Sequence, residues 1–168
     1  MEALKEFTVP LTGLKPGAHT YTYEVDSEFF THFENSPISD GKFEILITLD
    51  RRPDLAVLDF DIKGSYKCNC DRCLADINLP ITHHNQIILK FEEGEDTDEL
   101  IFVDPQLAEW NAANMIFEFI SLAKPLTNVY DCKGIPCNQE TLKALDQYES
   151  QNESDNSIWK DLKDIKLN

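Results

Sequence analysis

The sequence predicts an α+β protein. We expect a mainly antiparallel, meandering sheet of about six or seven strands, packed by one long helix and followed by short C-terminal helices. Over roughly the first hundred residues, apolar and polar side chains alternate, as in strands with one buried face. Beyond Asp104 the apolar residues recur instead at helical spacing, which predicts a change from sheet to helix.

The strands are predicted from short alternating segments separated by turn residues. These segments are 7–11, 21–25, 43–49, 58–62, 77–81 and 87–91, followed by the short apolar run at 100–103. Gly and Pro in GLKPG at 13–17 mark the first turn. Asp26, before FFTHF, can cap a single helical turn that directs Phe29, Phe30 and Phe33 inward.

The long helix is predicted to begin at Asp104, with the carboxylate as N-cap and Pro105 in the first helical position, and to end at about Lys124. A shorter helix, capped by Asn138, should run to about Tyr148. These elements predict a single α+β domain over residues 1–149. Residues 150–168 read as a linker and a C-terminal amphipathic segment.

Composition narrows the class of protein. A chain of 168 residues is long enough to bury a core without disulfides. The formal net charge of −16 argues against nonspecific adhesion to nucleic acid and favours basic partners. We find no signal-peptide pattern and no apolar run of about 20 residues, so a cytoplasmic protein without membrane association is expected.

No catalytic pattern stands out. The chain has no glycine-rich phosphate loop and no G-x-S-x-G elbow, and the carboxylates at 92–99 lack calcium-loop spacing. His83 and His84 are expected to form a surface pair rather than a general base. We therefore expect neither an enzyme nor a small-molecule substrate.

Five cysteines in a reducing compartment point to thiols or metal ligands rather than to a disulfide framework. Two cysteine loops, 68–73 and 132–137, could supply the four soft ligands of one structural zinc ion. The predicted ligands are Cys70, Cys73, Cys132 and Cys137. Buried thiols without metal and redox chemistry remain the alternatives.

Several motifs in order resemble one family. They are C-x-x-C-L at 70–74, DELIFVDPQLAE at 98–109, LAKPL at 122–126, CKG at 132–134 and SIWKDLKDIK at 157–166. From about residue 43 onward, the chain resembles the YceD family of large ribosomal RNA subunit accumulation proteins. The resemblance implies a non-enzymatic bacterial factor in ribosome biogenesis that is needed for accumulation of 23S rRNA.

The resemblance also bears on the metal. Family members often pair C-x-x-C-L with a second knuckle of the form CKG-L-C-P-x-C-G, and the two together resemble a split zinc ribbon. Cys70, Cys73 and Cys132 match that pattern. Cys137 falls between the two remaining expected positions.

Two hypotheses for the mode of action follow. In the first, a cationic island binds rRNA or an assembling large-subunit particle, with an aromatic ring for base stacking. The predicted residues are Lys63, Tyr66, Lys67, Arg72, Lys124 and Lys133.

In the second, the acidic protein escorts a basic large-subunit ribosomal protein, because complementary charge speeds encounter with such a partner. The predicted contacts are the acidic run at 92–99 and the C-terminal segment. They comprise Glu92, Glu93, Glu95, Asp96, Asp98, Glu99 and Trp159.

Overall fold

A computed structural model of the chain describes residues 4–129 and 138–152. The strands are β1 Thr8–Pro10, β2 Gly17–Val25, β3 Gly41–Arg51, β4 Leu55–Asn69, β5 Asp76–Lys90, β6 Leu100–Phe102 and β7 Glu109–Asn111. The helices are α1 Ser27–Thr31, α2 Ala113–Ala123 and α3 Gln139–Asn152, and a short 3₁₀ turn precedes β1 at Lys5–Phe7. None of the helices described is long and apolar enough to cross a membrane.

The chain separates into two compact units. One comprises Met1–Cys68 and Asn78–Leu126 and contains the sheets, α1 and α2. The other comprises Asn69–Ile77 and Thr127–Asn168 and contains the first cysteine loop and α3. The single domain over 1–149 remains a prediction, and α3 continues to Asn152, beyond the predicted start of the linker.

The α+β class is confirmed, but the sheet is mixed rather than purely antiparallel. Five strands lie in the order β2-β3-β4-β5-β6, and β1 pairs with β7 in a separate two-stranded sheet. β2, β3 and β4 pair antiparallel, whereas β6 runs parallel to β5, with Ile88 opposite Leu100. The segments 77–81 and 87–91, predicted as two strands, lie mainly in the single strand β5.

The prediction of one long helix from Asp104 is wrong. The Asp104 carboxylate accepts a hydrogen bond from the Gln106 amide at 2.7 Å, which closes a local turn rather than a helix start. The chain then enters β7, where Trp110 lies opposite Val9. α2 begins only at Ala113, whose amide donates to the Asn111 side chain, and it ends before Pro125 as predicted.

The core of the first unit lies between one face of the five-stranded sheet and the elements packed on it. Alternate side chains of β3 and β4 point to this face, and those of Ile45, Ile47, Leu58 and Phe60 are fully buried. The rings of Phe60 and Phe119 of α2 meet edge to face, with centroids 5.1 Å apart. The opposite, outer face carries the polar residues of the same strands.

The two shorter predicted helices are present. The Asp26 carboxylate accepts amide hydrogen bonds from Glu28 and Phe29 at the start of α1. At the start of α3, the Asn138 side chain accepts from the amides of Glu140 and Thr141. Asx residues at these positions satisfy amides that have no partner within the first helical turn.

Candidate functional site

The first cysteine loop is a compact turn between β4 and β5. The Cys70 amide donates to the Ala75 carbonyl at 2.8 Å, and the Leu74 amide donates back to the Cys70 carbonyl at 2.9 Å. Leu74 has a φ of 58°, in the left-handed region that bulky residues rarely occupy. Cys70 and Cys73 are buried, whereas the Leu74 side chain is 64% exposed. The turn thus presents both thiols inward, at a strained position of the backbone.

This loop is tied to the segment that leads to the second predicted cysteine pair. The Asp71 amide donates to the Asn128 carbonyl at 2.9 Å, and the Asn128 amide donates to the Asp71 carboxylate at 2.6 Å. Both residues belong to the second unit. The reciprocal pair fixes residue 128 beside the loop, only four residues before Cys132 in the sequence.

Two of the four predicted metal ligands can therefore be placed. Cys70 and Cys73 are buried in one turn and are separated by two residues, as a zinc knuckle requires. Cys132 and Cys137 lie outside the described residues. Within residues 4–129 and 138–152, no group of three or more His, Cys, Asp or Glu side chains could hold a metal ion.

The residues predicted to bind RNA are dispersed. Lys63 and Lys67 lie on the outer face of β4, where both side chains are exposed. Lys124, at the end of α2, places its ammonium nitrogen 5.9 Å from the centroid of the Tyr66 ring. Arg72 belongs to the cysteine loop in the second unit, and Lys133 is outside the described residues.

Tyr66 is only 1% exposed, so its ring has no open face on which a base could stack. It occupies an inward position of β4, in phase with Phe60 and Ile62. The expectation of a stacking ring is therefore not met.

Lys42, which sequence reasoning missed, extends the cationic surface. It lies on β3 opposite Ser65, the residue midway between Lys63 and Lys67. Lys42 lines one outer-face groove with Lys63 and a second, of about 350 Å³, with Lys67. We call Lys42, Lys63 and Lys67 the lysine cluster. The signal was available, since the alternation that buries Phe43 directs Lys42 outward.

Carboxylates accompany the lysine cluster. Glu44 lies directly opposite Lys63, and the Lys67 ammonium is 2.6 Å from the Asp40 carboxylate. That hydrogen bond, reinforced by one from Ser27, lowers the pKa of Asp40 below its ordinary value of 3.8. The cluster is therefore part of a mixed-charge surface rather than a purely cationic island.

The acidic run at 92–99 forms the connection between the parallel strands β5 and β6. The Asp96 carboxylate accepts the Phe102 amide at 2.8 Å, and the Glu92 carboxylate lies 2.5 Å from the Lys90 ammonium. The Thr97 amide donates to the Leu100 carbonyl at 2.8 Å. The remaining acids of the run are exposed, and Trp159 is outside the described residues.

The two adjacent histidines do not form a surface pair. His84 is exposed on the outer face, with Nδ1 3.1 Å from an Asp61 carboxylate oxygen. The His83 ring faces the other side of β5, with its centroid 6.4 Å from that of Phe119, and its Nε2 is buried without a hydrogen-bond partner. Alternation along the strand separates the neighbours, and neither arrangement places a base beside a nucleophile.

Comparison with known proteins identifies the family. The family model described as large ribosomal RNA subunit accumulation protein YceD matches residues 58–166. No match was found among curated proteins or among solved structures. The matched region begins at Leu58, within β4, and includes both cysteine loops and the acidic run, so it spans more than half of the chain. The chain therefore belongs to the YceD family of large ribosomal RNA subunit accumulation proteins.

Proposed function

We propose that this protein is a non-enzymatic, cytoplasmic factor in ribosome biogenesis that promotes accumulation of 23S rRNA by binding rRNA or an assembling large-subunit particle. The observation that carries the proposal is the family match over residues 58–166. The absence of a base beside a nucleophile at His83 and His84 is compatible with a binding role.

The lysine cluster of the first unit is the surface we assign to RNA, and Lys124 of that unit and Arg72 of the second unit remain separate predicted contacts. Three to five phosphate contacts give a log–log salt slope of roughly −2 to −4, so binding should weaken steeply as salt rises. The nearby carboxylates of Glu44 and Asp40 lower this affinity further. Such a surface suits transient, salt-sensitive contact with RNA better than tight binding.

Ultraviolet crosslinking in living cells, followed by sequencing of the RNA attached to the protein, tests this proposal. We expect a discrete 23S segment, and we expect less 23S rRNA when the gene is deleted. Normal 23S levels in the deletion strain would contradict the proposed role. Background RNA alone, from protein that is expressed and recovered, would contradict direct RNA binding.

A matched pair of variants tests the lysine cluster. Changing Lys42 and Lys63 to Gln should reduce RNA retention, because each change removes a phosphate contact. Changing Lys15 and Lys143 to Gln alters the net charge equally at exposed positions elsewhere. Equal retention by the two double variants would contradict the assignment of RNA to the lysine cluster.

A second candidate mode is escort of a basic ribosomal protein. It is favoured by the net charge of −16 and by the exposed acids of the run at 92–99. Escort would explain rRNA accumulation indirectly, because rRNA without its proteins is degraded. Recovery of a basic large-subunit protein with the wild-type chain, but without crosslinked RNA, would favour this mode.

We also propose that Cys70 and Cys73 hold one structural zinc ion together with the predicted ligands Cys132 and Cys137. When bound, zinc would link the two cysteine-bearing segments and stabilise the fold. Untagged protein purified anaerobically without chelator should contain about one zinc per chain. Well under one zinc per chain would exclude the site, and Cys70→Ser with Cys73→Ser should abolish any zinc that is found.

A further inference from the structure

The five-stranded sheet ends in an open edge at β2. Gly17–Val25 pairs with β3 on one side, and no other strand in residues 4–129 and 138–152 pairs with its other side. In an antiparallel strand, every second residue directs its backbone amide and carbonyl toward one side. Within the part of the chain that the structure describes, alternate residues of the nine in β2 therefore offer unpaired backbone donors and acceptors.

This edge lacks most of the features by which soluble proteins usually block strand addition, and its one charged carboxylate is that of Glu24. The register with β3 is one to one from Gly17 to Val25, so there is no bulge, and the strand contains no Lys, Arg or Pro. Its sequence is rich in Thr and Tyr, which favour extended backbone. β6, at the opposite edge, is only three residues long and pairs with Ile88–Lys90 of β5.

Charge and shape at the Val25 end of β2 indicate what the edge would accept. A groove of about 480 Å³ has Phe7 and Phe29 in its lining. Among the described residues that line it are the carboxylates of Glu6, Glu24, Asp26 and Glu28 and one basic side chain, that of His32. Tyr21 and Tyr23 are half-buried along the same strand, so their rings form an apolar surface beside the edge.

These features select among possible occupants. A second copy of the chain would bring equal negative charge against the groove, and the net charge of −16 opposes such pairing. RNA phosphates would meet the same repulsion. A basic polypeptide in extended conformation satisfies both features, since its backbone pairs with the strand and its cationic side chains meet the carboxylates.

We propose that the open edge of β2 binds an extended, Lys- and Arg-rich segment of a protein partner as an added strand, with a basic side chain in the acidic groove. This inference rests on the escort mode of the proposed function. It places the partner on β2 and the adjoining groove rather than on the acidic run at 92–99.

The probe is a synthetic peptide of roughly ten residues that alternates Val or Thr with Lys or Arg. Binding to the full chain is measured by fluorescence anisotropy over a range of salt concentrations. A peptide of the same sequence, N-methylated at every second backbone nitrogen, keeps the charge and loses the donors on one edge. We expect it to bind at least about tenfold more weakly, because several backbone hydrogen bonds are lost together.

Residue-resolved hydrogen exchange locates the peptide. In the free chain, alternate amides of β2 should exchange rapidly, and the peptide should protect those amides selectively. If they are already protected in the free chain, the edge is covered and the inference is wrong. Peptide-induced protection that appears at residues 92–99 instead of β2 would also overturn it.

Two pairs of variants separate edge and groove from general charge. Thr22→Lys, on β2, should weaken peptide binding, whereas Thr82→Lys, an exposed position within β5, should not. Glu24→Gln with Glu28→Gln should weaken binding severalfold more than Glu93→Gln with Glu95→Gln, which removes equal charge from the acidic run. Equal effects within either pair would overturn the inference.

Failure of this docking surface can be told apart from failure of the proposed function. The peptide measurements use purified protein, whereas the role in rRNA accumulation is read from 23S levels in a deletion strain. No peptide binding together with reduced 23S rRNA would overturn the docking surface alone. Normal 23S rRNA in the deletion strain would contradict the proposed function whatever the peptide does.

Discussion

Gly64 of β4 lies directly opposite Phe43 of β3, and Gly64→Ala should be strongly destabilising. An added Cβ would lie 2.7 Å from Cα of Phe43 and closer still to the Lys42 carbonyl oxygen, whereas real Cβ contacts essentially never fall below 3.0 Å. Because the obstructing atoms are backbone, the two strands must separate. Overpacking together with weakened ladder hydrogen bonds should cost about 3 kcal/mol in the free energy of unfolding.

Urea denaturation followed by circular dichroism measures this loss, and thermal unfolding should show a Tm lower by about 6–12 °C for a chain of this size. Gly94→Ala is the comparison, because the three atoms nearest its added Cβ all belong to the ring of Phe102, a side chain rather than backbone. We expect a smaller loss there. A loss below about 1 kcal/mol for Gly64→Ala, or an equal loss for both variants, would refute the reasoning.

Three further predictions concern the core and two titrating groups. Phe60→Ala should lower the free energy of unfolding by about 3–5 kcal/mol in urea denaturation, whereas Leu46→Ala, 37% exposed on the outer face, should cost less than about 1 kcal/mol. Lys67→Gln should raise the pKa of Asp40 toward 3.8 in an NMR titration. The pKa of Asp40 is lowered in the folded wild-type chain. Its contribution to stability is therefore present at pH values above its pKa in the unfolded chain, and it is lost as pH falls through its pKa in the folded chain. An unchanged Asp40 pKa in Lys67→Gln would contradict this. Burial raises the pKa of Tyr23 to about 12. Its neutral phenol therefore contributes stability that is present below pH 10.0 and is lost as pH rises toward 12. In an absorbance titration, Tyr23→Phe should lack the late tyrosine ionisation step that the wild-type chain shows.

Alternation along the chain was sufficient to predict the β3–β4 hairpin, because one strand face is buried along its whole length. It could not predict that β6 runs parallel to β5, since alternation carries no information about strand direction. Asp104-Pro105 was misread because an Asp that accepts an amide two residues on looks the same at a turn as at a helix start. The pairing of Trp110 with Val9 across the chain then decided the outcome.

The residues of the candidate site were likewise predictable where strand alternation decides their exposure, and unpredictable where pairing between distant segments decides their neighbours. The phase of the inward residues Phe60 and Ile62 already implied that Tyr66 would be buried, so the prediction of an accessible stacking ring conflicted with the strand's own alternation. Lys42 was missed because it is distant in sequence from Lys63 and Lys67 and becomes their neighbour only through strand pairing. Glu44 and Asp40, the acids that accompany the lysine cluster, likewise become its neighbours only through contacts between residues distant in sequence.

The acidic run at 92–99 is subject to two separate constraints, one on its length and one on its charge. As the connection between parallel strands, it must keep enough length to return the chain from Lys90 to Leu100. As an acidic surface, it can exchange Glu for Asp at its exposed positions with little effect on the fold. Deletions here should therefore be rarer among natural variants than substitutions, and Asp96 should be the least variable acid, because its carboxylate accepts a hydrogen bond from the Phe102 amide of β6.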